Sequence, residues 1–272
     1  MPDILDVYGL KYQPFQKGIL QSKPCFDSAD LKNGVAVVTR SVEEVGIGLL
    51  CGESGTGVSF IAHAGINRLP GGQYEVCYYS VSQICPRDFY KEVCRITGAI
   101  PDGRGRQAMI TAIRAKAKAL HDQGRRLILV LDRAENIPEL VAGDLPTLIS
   151  GDYDLENHAA LILCGTEKLR SLLRRYGNDS FRYDLSYTYK CRGLSEDEVL
   201  RYVRFKLSAA GASPDVLDAS IAKDLYELSC RGNCKRLNSL MRMALMIGAQ
   251  YNRKTIDIEI LRSAAAVQEE GF

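Results

Sequence analysis

Gly52-Glu53-Ser54-Gly55-Thr56-Gly57-Val58-Ser59 is the stretch whose residue types and spacing are suited to chemistry. It follows the apolar run Ile47-Gly48-Leu49-Leu50-Cys51 and precedes a helical pattern. The phosphate-loop pattern G-x-x-x-x-G-K-[ST] is met at every fixed position but the Lys. Gly52, Gly55 and Gly57 allow backbone N–H groups to turn inward around phosphates, and a helix opening near Ser59 aims its positive end at them. The Ser59 hydroxyl stands where Mg²⁺ is bound, while the position that reaches the β- and γ-phosphates holds Val58, an apolar stub without charge. An ordinary glycine-rich turn would use similar residues. Strand before, helix after and the spacing favour descent from a phosphate loop, and descent is separate from activity.

A second half of such a site requires a buried strand ending in Asp, followed by a carboxylate that polarises water. Leu127-Ile128-Leu129-Val130-Leu131-Asp132 supplies the strand and a metal-ligating Asp132. Arg133 follows, and a guanidinium, always protonated, cannot take a proton from water. The cation and the base are thus both replaced.

The elements that must position these residues read as an α/β domain. Strands are expected at Ile47–Cys51, Val76–Val81, Leu127–Leu131 and Ala160–Cys164, short apolar runs of the kind buried on both faces of a parallel sheet. Helices are expected at Ser59–Leu69, Pro86–Thr97 and Gln107–Gln123. Past Arg192-Gly193-Leu194 no strand is convincing. Ser195-Glu196-Asp197-Glu198 reads as a capping box for a helix through about Ala209, and three further helices are expected at Leu217–Cys230, Cys234–Tyr251 and Asp257–Gln268. The expected division is a nucleotide-binding domain over 1–194 and a helical lid over 195–272.

Composition sets bounds without naming a function. The chain has 272 residues, 46% hydrophobic and 25% charged, so it has the make-up of a globular protein and not of a disordered or collagen-like one. No apolar run is long enough to span a membrane, and the acidic start Met1-Pro2-Asp3-Ile4-Leu5-Asp6 does not resemble a signal peptide, so a cytoplasmic protein is expected. The net charge of +2 argues against a uniformly basic coat. Nine Cys without repeating spacing make a poor disulfide framework and are expected to be buried reduced thiols, as in Leu49-Leu50-Cys51. His63, His121 and His158 are isolated in sequence and are expected to be structural.

Tyr8-Gly9-Leu10-Lys11-Tyr12-Gln13-Pro14-Phe15, Gly46 through Glu53, Leu131-Asp132-Arg133-Ala134-Glu135 and Cys164-Gly165-Thr166, in that order, carry a family resemblance. From about residue 7 to residue 265 the chain resembles the ExeA-like AAA+ ATPases, which are related to the TniB and TnsC-type helpers of transposition. The resemblance implies a three-layer αβα P-loop domain with a parallel sheet and a C-terminal helical lid. It implies ATP or ADP with Mg²⁺ as ligands, self-assembly into a ring or filament, and service to a transposase on DNA or to a secretion system. It carries over the loop residues Gly52 to Ser59, the metal position Asp132, a sensor at Thr166, a lid cation at Lys235 or Arg236, and an intersubunit arginine at Arg182, with Asp184 where a second arginine is usual.

Two further readings stay open. Arg133 is expected either to reach the γ-phosphate in place of the missing Lys, with Glu135 taking part of the lost carboxylate's role, or to be a drifted residue on an inactive site. Lys168, Arg170, Arg174, Arg175, Arg182, Lys190, Arg192, Arg201, Arg204 and Lys206, interleaved with tyrosines, form either a strip for DNA phosphates or a solvated surface. The functions in competition are a nucleotide-binding switch or scaffold in transposition, with impaired hydrolysis, and a non-enzymatic pseudo-ATPase.

Overall fold

The computed structural model describes residues 3–16, 25–151, 156–176, 181 and 185–270. They divide into two compact units: the first comprises Met1–Asp30, Gly55–Gly57 and Arg192–Phe272, the second Leu31–Ser54 and Val58–Cys191.

The second unit is built on a five-stranded sheet: β1 (Ile47–Gly52), β2 (Tyr74–Ser80), β3 (Arg126–Asp132), β4 (Ala159–Gly165) and β5 (Leu185–Cys191), in the order β2-β3-β4-β1-β5. Every pairing is parallel, with Leu129 opposite Leu161, Leu49 opposite Leu163 and Ser80 opposite Asp132. The three central strands β1, β3 and β4 have almost no polar residue because both of their faces are covered, as parallel sheets require.

Alternate residues sort to opposite faces. Leu49, Leu127, Leu129, Leu161 and Leu163 point into one apolar layer with Phe89 and Val93 of α4 (Pro86–Thr97) and Met109 and Ile113 of α5 (Arg106–Asp122). Leu169 and Leu173 of α8 (Glu167–Tyr176) join that layer. Leu50, Ile128, Val130 and Ile162 point into the other, with Val35, Val38 and Val42 of α2 (Ala29–Glu43) and Ile61 of α3 (Val58–Ile66). The result is the three-layer α/β arrangement. Helices α2 and α3 approach so closely that a side chain at Gly34 would run into Ile61, and a Cβ at Gly65 would lie 2.7 Å from Val38.

The fifth strand lies outside the four apolar runs expected from sequence. At the sheet edge it alternates half-buried and exposed positions, so it has no continuous apolar run. Two short helices, α6 (Glu139–Ala142) and α7 (Leu145–Ile149), fill the β3–β4 connection.

The first unit is helical. It contains α1 (Ile4–Tyr8), α9 (Glu196–Ala209), α10 (Ala222–Leu228), α11 (Cys234–Gln250) and α12 (Ile258–Glu270). The capping box at Ser195 is present, and Glu198 accepts N–H bonds from both Ser195 (2.9 Å) and Ala29 (2.8 Å). Burial opposes the charge on Glu198, but these backbone donors outweigh it and hold the carboxyl below its ordinary value. Expected helix Leu217–Cys230 is shorter, being a 3₁₀ turn at Ala219–Ile221 running into α10, because Cys230 and Arg231 take positive φ and end it.

The opening Tyr8…Phe15 element becomes core of this helical unit. Tyr8, Leu10 and Phe15 are buried with Val203, Leu240, Met241 and Leu245. Two sequence expectations are corrected. Cys25, Cys85 and Cys230 are exposed; burial holds for Cys51, Cys77, Cys94, Cys164 and Cys191, whose flanks are strand or helix core. Lys206 is no surface phosphate contact: it lies over the Phe15 and Tyr202 rings at 5.7 and 5.4 Å, donates to Asn238, and burial pulls its pKa down. No described helix is long and apolar enough to cross a membrane.

Candidate functional site

The carboxyl ends of β1, β3 and β4 bring the residues of the second unit together. β1 ends at Gly52, where the glycine-rich loop begins; α3 opens at Val58, so Ser59 lies in its first turn. The loop needs glycine: Gly55 and Gly57 hold φ of +95° and +104°, and a Cβ at Gly57 would meet nothing within 4 Å, leaving that side of the loop open. Glu53 and Ser54 are exposed, whereas Thr56 is buried. Val58 is half-buried and packs into the layer of Leu50, Val130 and Ile162, which is what an apolar side chain does where an extended cation is absent.

Ser59 and Asp132 meet. The Ser59 hydroxyl donates to Asp132 Oδ1 at 2.9 Å, and the Arg133 N–H donates to the same oxygen at 2.9 Å. Asp132 Oδ2 accepts a hydrogen bond from the hydroxyl of Tyr78, a residue outside both sequence motifs. Burial and the Asp132 bond push the Tyr78 pKa far up, so that hydroxyl remains a donor throughout the physiological range. The His63 ring stacks on Tyr78 at 4.6 Å and 28°, fixing it from the α3 side.

Mg²⁺ fits this donor set badly. The ion is bound by carboxylate and hydroxyl lone pairs, and here three donated hydrogens take three of the roughly four acceptor sites of Asp132, two on Oδ1 and one on Oδ2. Lacking the loop Lys as well, the site offers phosphates backbone N–H groups and a helix terminus, with no fixed cation beside Asp132 from Val58.

Arg133 takes a left-handed conformation, φ +50°, and its side chain is exposed on the turn that leads into the 3₁₀ segment Ala134–Asn136. Glu135 points instead to the end of β4, where its Oε2 accepts the Thr166 N–H at 3.2 Å. Any side chain at Gly165 would collide with that carboxylate oxygen. The Thr166 hydroxyl is buried without a hydrogen-bond partner just past the end of β4.

Within the first unit, Asn233 caps α11. Its Oδ1 accepts the N–H groups of Lys235 and Arg236 at 3.2 Å each, and the Lys235 N–H also donates to Gly55 O at 3.0 Å. A Cβ at Gly55 would lie 2.5 Å from Asn233 Oδ1, so the loop tip and the start of α11 interlock. Lys235 and Arg236 are exposed in that first turn. Arg182 and Asp184 lie outside the described residues.

Tyr78 had a signal only in strand register. It pairs with Val130 in the β2–β3 ladder, which makes Asp132 its diagonal neighbour on the same face. Nothing in the linear sequence states that register.

Residues 41–173 match the family model described as an AAA domain. The fold is similar to that of the Aeropyrum pernix ORC2 protein, solved as ADPNP–ADP complexes, with a TM-score of 0.67 at 15% identity, covering 94% of this chain and 71% of that one. It is also similar to Cdc6p from Pyrobaculum aerophilum, with a TM-score of 0.68 at 16% identity, covering 92% and 69%. The Thermotoga maritima RuvB Holliday junction branch migration motor gives a TM-score of 0.59 at 13% identity, covering 88% and 68%. At these identities the likeness concerns fold alone. General secretion pathway protein A of Aeromonas hydrophila is 25% identical over 232 residues, 83% of this chain. The chain spans 42% of that relative's length, less than half. Residues 41–173, which match the AAA domain model, lie in the unit built on the parallel sheet, and a helical region follows them toward the C-terminus.

Proposed function

We propose that this chain binds adenine nucleotide at its glycine-rich loop without turning it over at the rate of an ordinary ATPase, and acts as an oligomeric regulator or scaffold in DNA transposition. The observation that carries the first half is the occupied Asp132: Ser59, Tyr78 and Arg133 donate to it, while Val58 packs into the apolar layer. Hydrolysis then lacks the loop cation, an accessible metal carboxylate and a base next to Asp132. Loss of the base alone costs on the order of 10²- to 10⁴-fold. The open loop and the orphaned Thr166 hydroxyl support retention of phosphate binding. Because the γ-phosphate adds charge that no side chain at position 58 neutralises, ADP binds at least as tightly as ATP.

Of the two roles considered for Arg133 and Glu135, their placement favours a site at rest. Glu135 is engaged with Thr166, and it serves as a positioning group for the β4 end. Lys235 and Arg236 remain the lid cations proposed for phosphate, Thr166 the proposed sensor, and Arg182 the proposed intersubunit arginine.

The transposition role is supported by the basic excess. Lys168, Arg174 and Arg175 are exposed on α8, where Arg170 and Arg174 also border an apolar cavity of about 370 Å³. If Arg174 and Arg175 contact DNA phosphates, their replacement by Ala reduces the salt-dependence slope of DNA binding by roughly 2, at about 0.9 per phosphate contact; an unchanged slope removes this support. A second reading, a secretion-pathway role, rests on the similarity to General secretion pathway protein A.

The test of the nucleotide reading is thermal shift and phosphate release with ATP and ADP, on wild type and on Val58→Lys with Arg133→Glu. Nucleotide is expected to raise the wild-type melting temperature without measurable release, and the double variant is expected to gain release once Tyr78→Phe also frees an Asp132 oxygen. Failure of both nucleotides to shift the wild type refutes nucleotide binding and leaves a pseudo-ATPase interaction protein.

A further inference from the structure

Histidine is scarce in this chain, three in 272 residues, yet two of the three meet. His121 stands in the last turn of α5 and His158 directly before β4, and their rings stack with centroids 4.9 Å apart at 17°. The expectation that the histidines are isolated is therefore corrected. Glu156 joins the pair, its Oε1 3.3 Å from His158 Nε2, and one ligating atom from each of the three lies within 4.8 Å of the other two. This cluster sits at the amino ends of the strands. The phosphate loop leaves their carboxyl ends, about 20 Å away along a seven-residue strand at roughly 3.3 Å per residue.

We propose that His121, Glu156 and His158 bind a divalent transition-metal ion, Zn²⁺ being the ion whose chemistry they suit. Two imidazoles are borderline donors that favour zinc and its neighbours over magnesium or calcium, and a carboxylate completes a two-histidine, one-carboxylate set of the kind that binds zinc. With metal–ligand bonds of about 2.0–2.2 Å, adjacent ligands of a tetrahedral site stand roughly 3.3–3.5 Å apart, and the His158–Glu156 pair already meets that separation.

Its fixed half is built by the backbone. His158 is 4% exposed, and its Nε2 faces Gly151, where a Cβ would lie 2.6 Å away. The Gly151 N–H donates to Glu156 O at 2.7 Å, the His158 N–H to Ile149 O at 2.9 Å, and the Arg114 guanidinium caps the carbonyls of Ser150 and Gly151. The adjustable half is His121, exposed at a helix end, whose ring turns out of the stack to bring a nitrogen to the ion. Exposure of His121 and Glu156 leaves the fourth position to water. A bound ion clasps the end of α5 to the lead-in of β4.

Cobalt(II) titration of the full chain, freed of metal by chelator and kept reduced, tests this. Expected is one equivalent of Co²⁺ giving visible tetrahedral bands without the near-ultraviolet thiolate charge-transfer band that Cys25, Cys85 or Cys230 would produce, with Zn²⁺ displacing it. His121→Ala and Glu156→Gln, both at exposed positions, are expected to weaken binding by at least about tenfold, the loss that even outer ligands of such sites cause. Absence of stoichiometric uptake, a thiolate band, or binding unchanged in both variants overturns the proposal and leaves a hydrogen-bonded His–Glu pair beneath a stacked ring.

Discussion

The two ends of one parallel sheet make opposite use of polar residues. At the carboxyl end, a motif known for holding metal and phosphate is preserved in outline, but its carboxylate is already engaged: Ser59, Tyr78 and Arg133 all donate to Asp132. At the amino end no motif exists, yet His121, Glu156 and His158 converge from an α-helix and a strand lead-in into a set of metal-type donors. A phosphate-loop spacing pattern thus describes a backbone path, while what a site can hold is decided by which lone pairs remain free. The loop glycines are kept while a tyrosine hydroxyl donates to the carboxylate beside them.

This contrast can be broken at four points of decreasing effect. Both ends hang from β4, whose Leu161 is fully buried. Leu161→Ala is expected to cost about 2–5 kcal/mol in denaturant unfolding and to weaken both ends together. Survival of one end's ligand response at full strength would show that the ends are not mechanically joined. Asp132→Asn removes charge-assisted acceptors from three donors and is expected to cost roughly 1.5–3 kcal/mol. Cobalt binding at the other end should be untouched, and a cost near zero would mean the carboxylate is not engaged as described.

Tyr78→Phe is expected to cost about 0.5–1.5 kcal/mol, one hydrogen bond, while freeing an Asp132 oxygen. Nucleotide binding by that variant should become Mg²⁺-dependent, and a variant as indifferent to Mg²⁺ as wild type would exonerate the tyrosine. Gly165→Ala drives a methyl against Glu135 and releases the Thr166 N–H, at a cost of about 1 kcal/mol by the same measure. Hydrogen exchange at Thr166 should accelerate; unaltered exchange would show that Glu135 does not hold the β4 end.

Much of the second unit could be read from residues alone. Strands β1, β3 and β4 are apolar because both faces are buried, and the alternation of Leu127, Leu129 and Leu131 against Ile128 and Val130 fills two layers at once. Pro86 opens α4 and Gly98 closes it at φ +68°, so its limits follow from local chemistry. Strand β5 could not be found this way, since an edge strand with one covered face carries Ser186, Thr188 and Lys190 between its tyrosines. Nor could Tyr78, whose reach to Asp132 depends on register, or the His121–His158 stack, which joins residues far apart in sequence. Lys206 shows the opposite error: charge in a list of basic residues says nothing of a stem folded against Phe15 and Tyr202.

The function proposed has phosphate binding persist at this loop without a divalent ion at Asp132. Calorimetric titration of the wild-type chain with ADP, once in Mg²⁺ and once in EDTA, tests it most directly. Saturable one-to-one binding with the same affinity in both buffers is expected. ADP binding that appears only with Mg²⁺, or that tightens by tenfold or more with it (about 1.4 kcal/mol), would show that Asp132 still seats the ion.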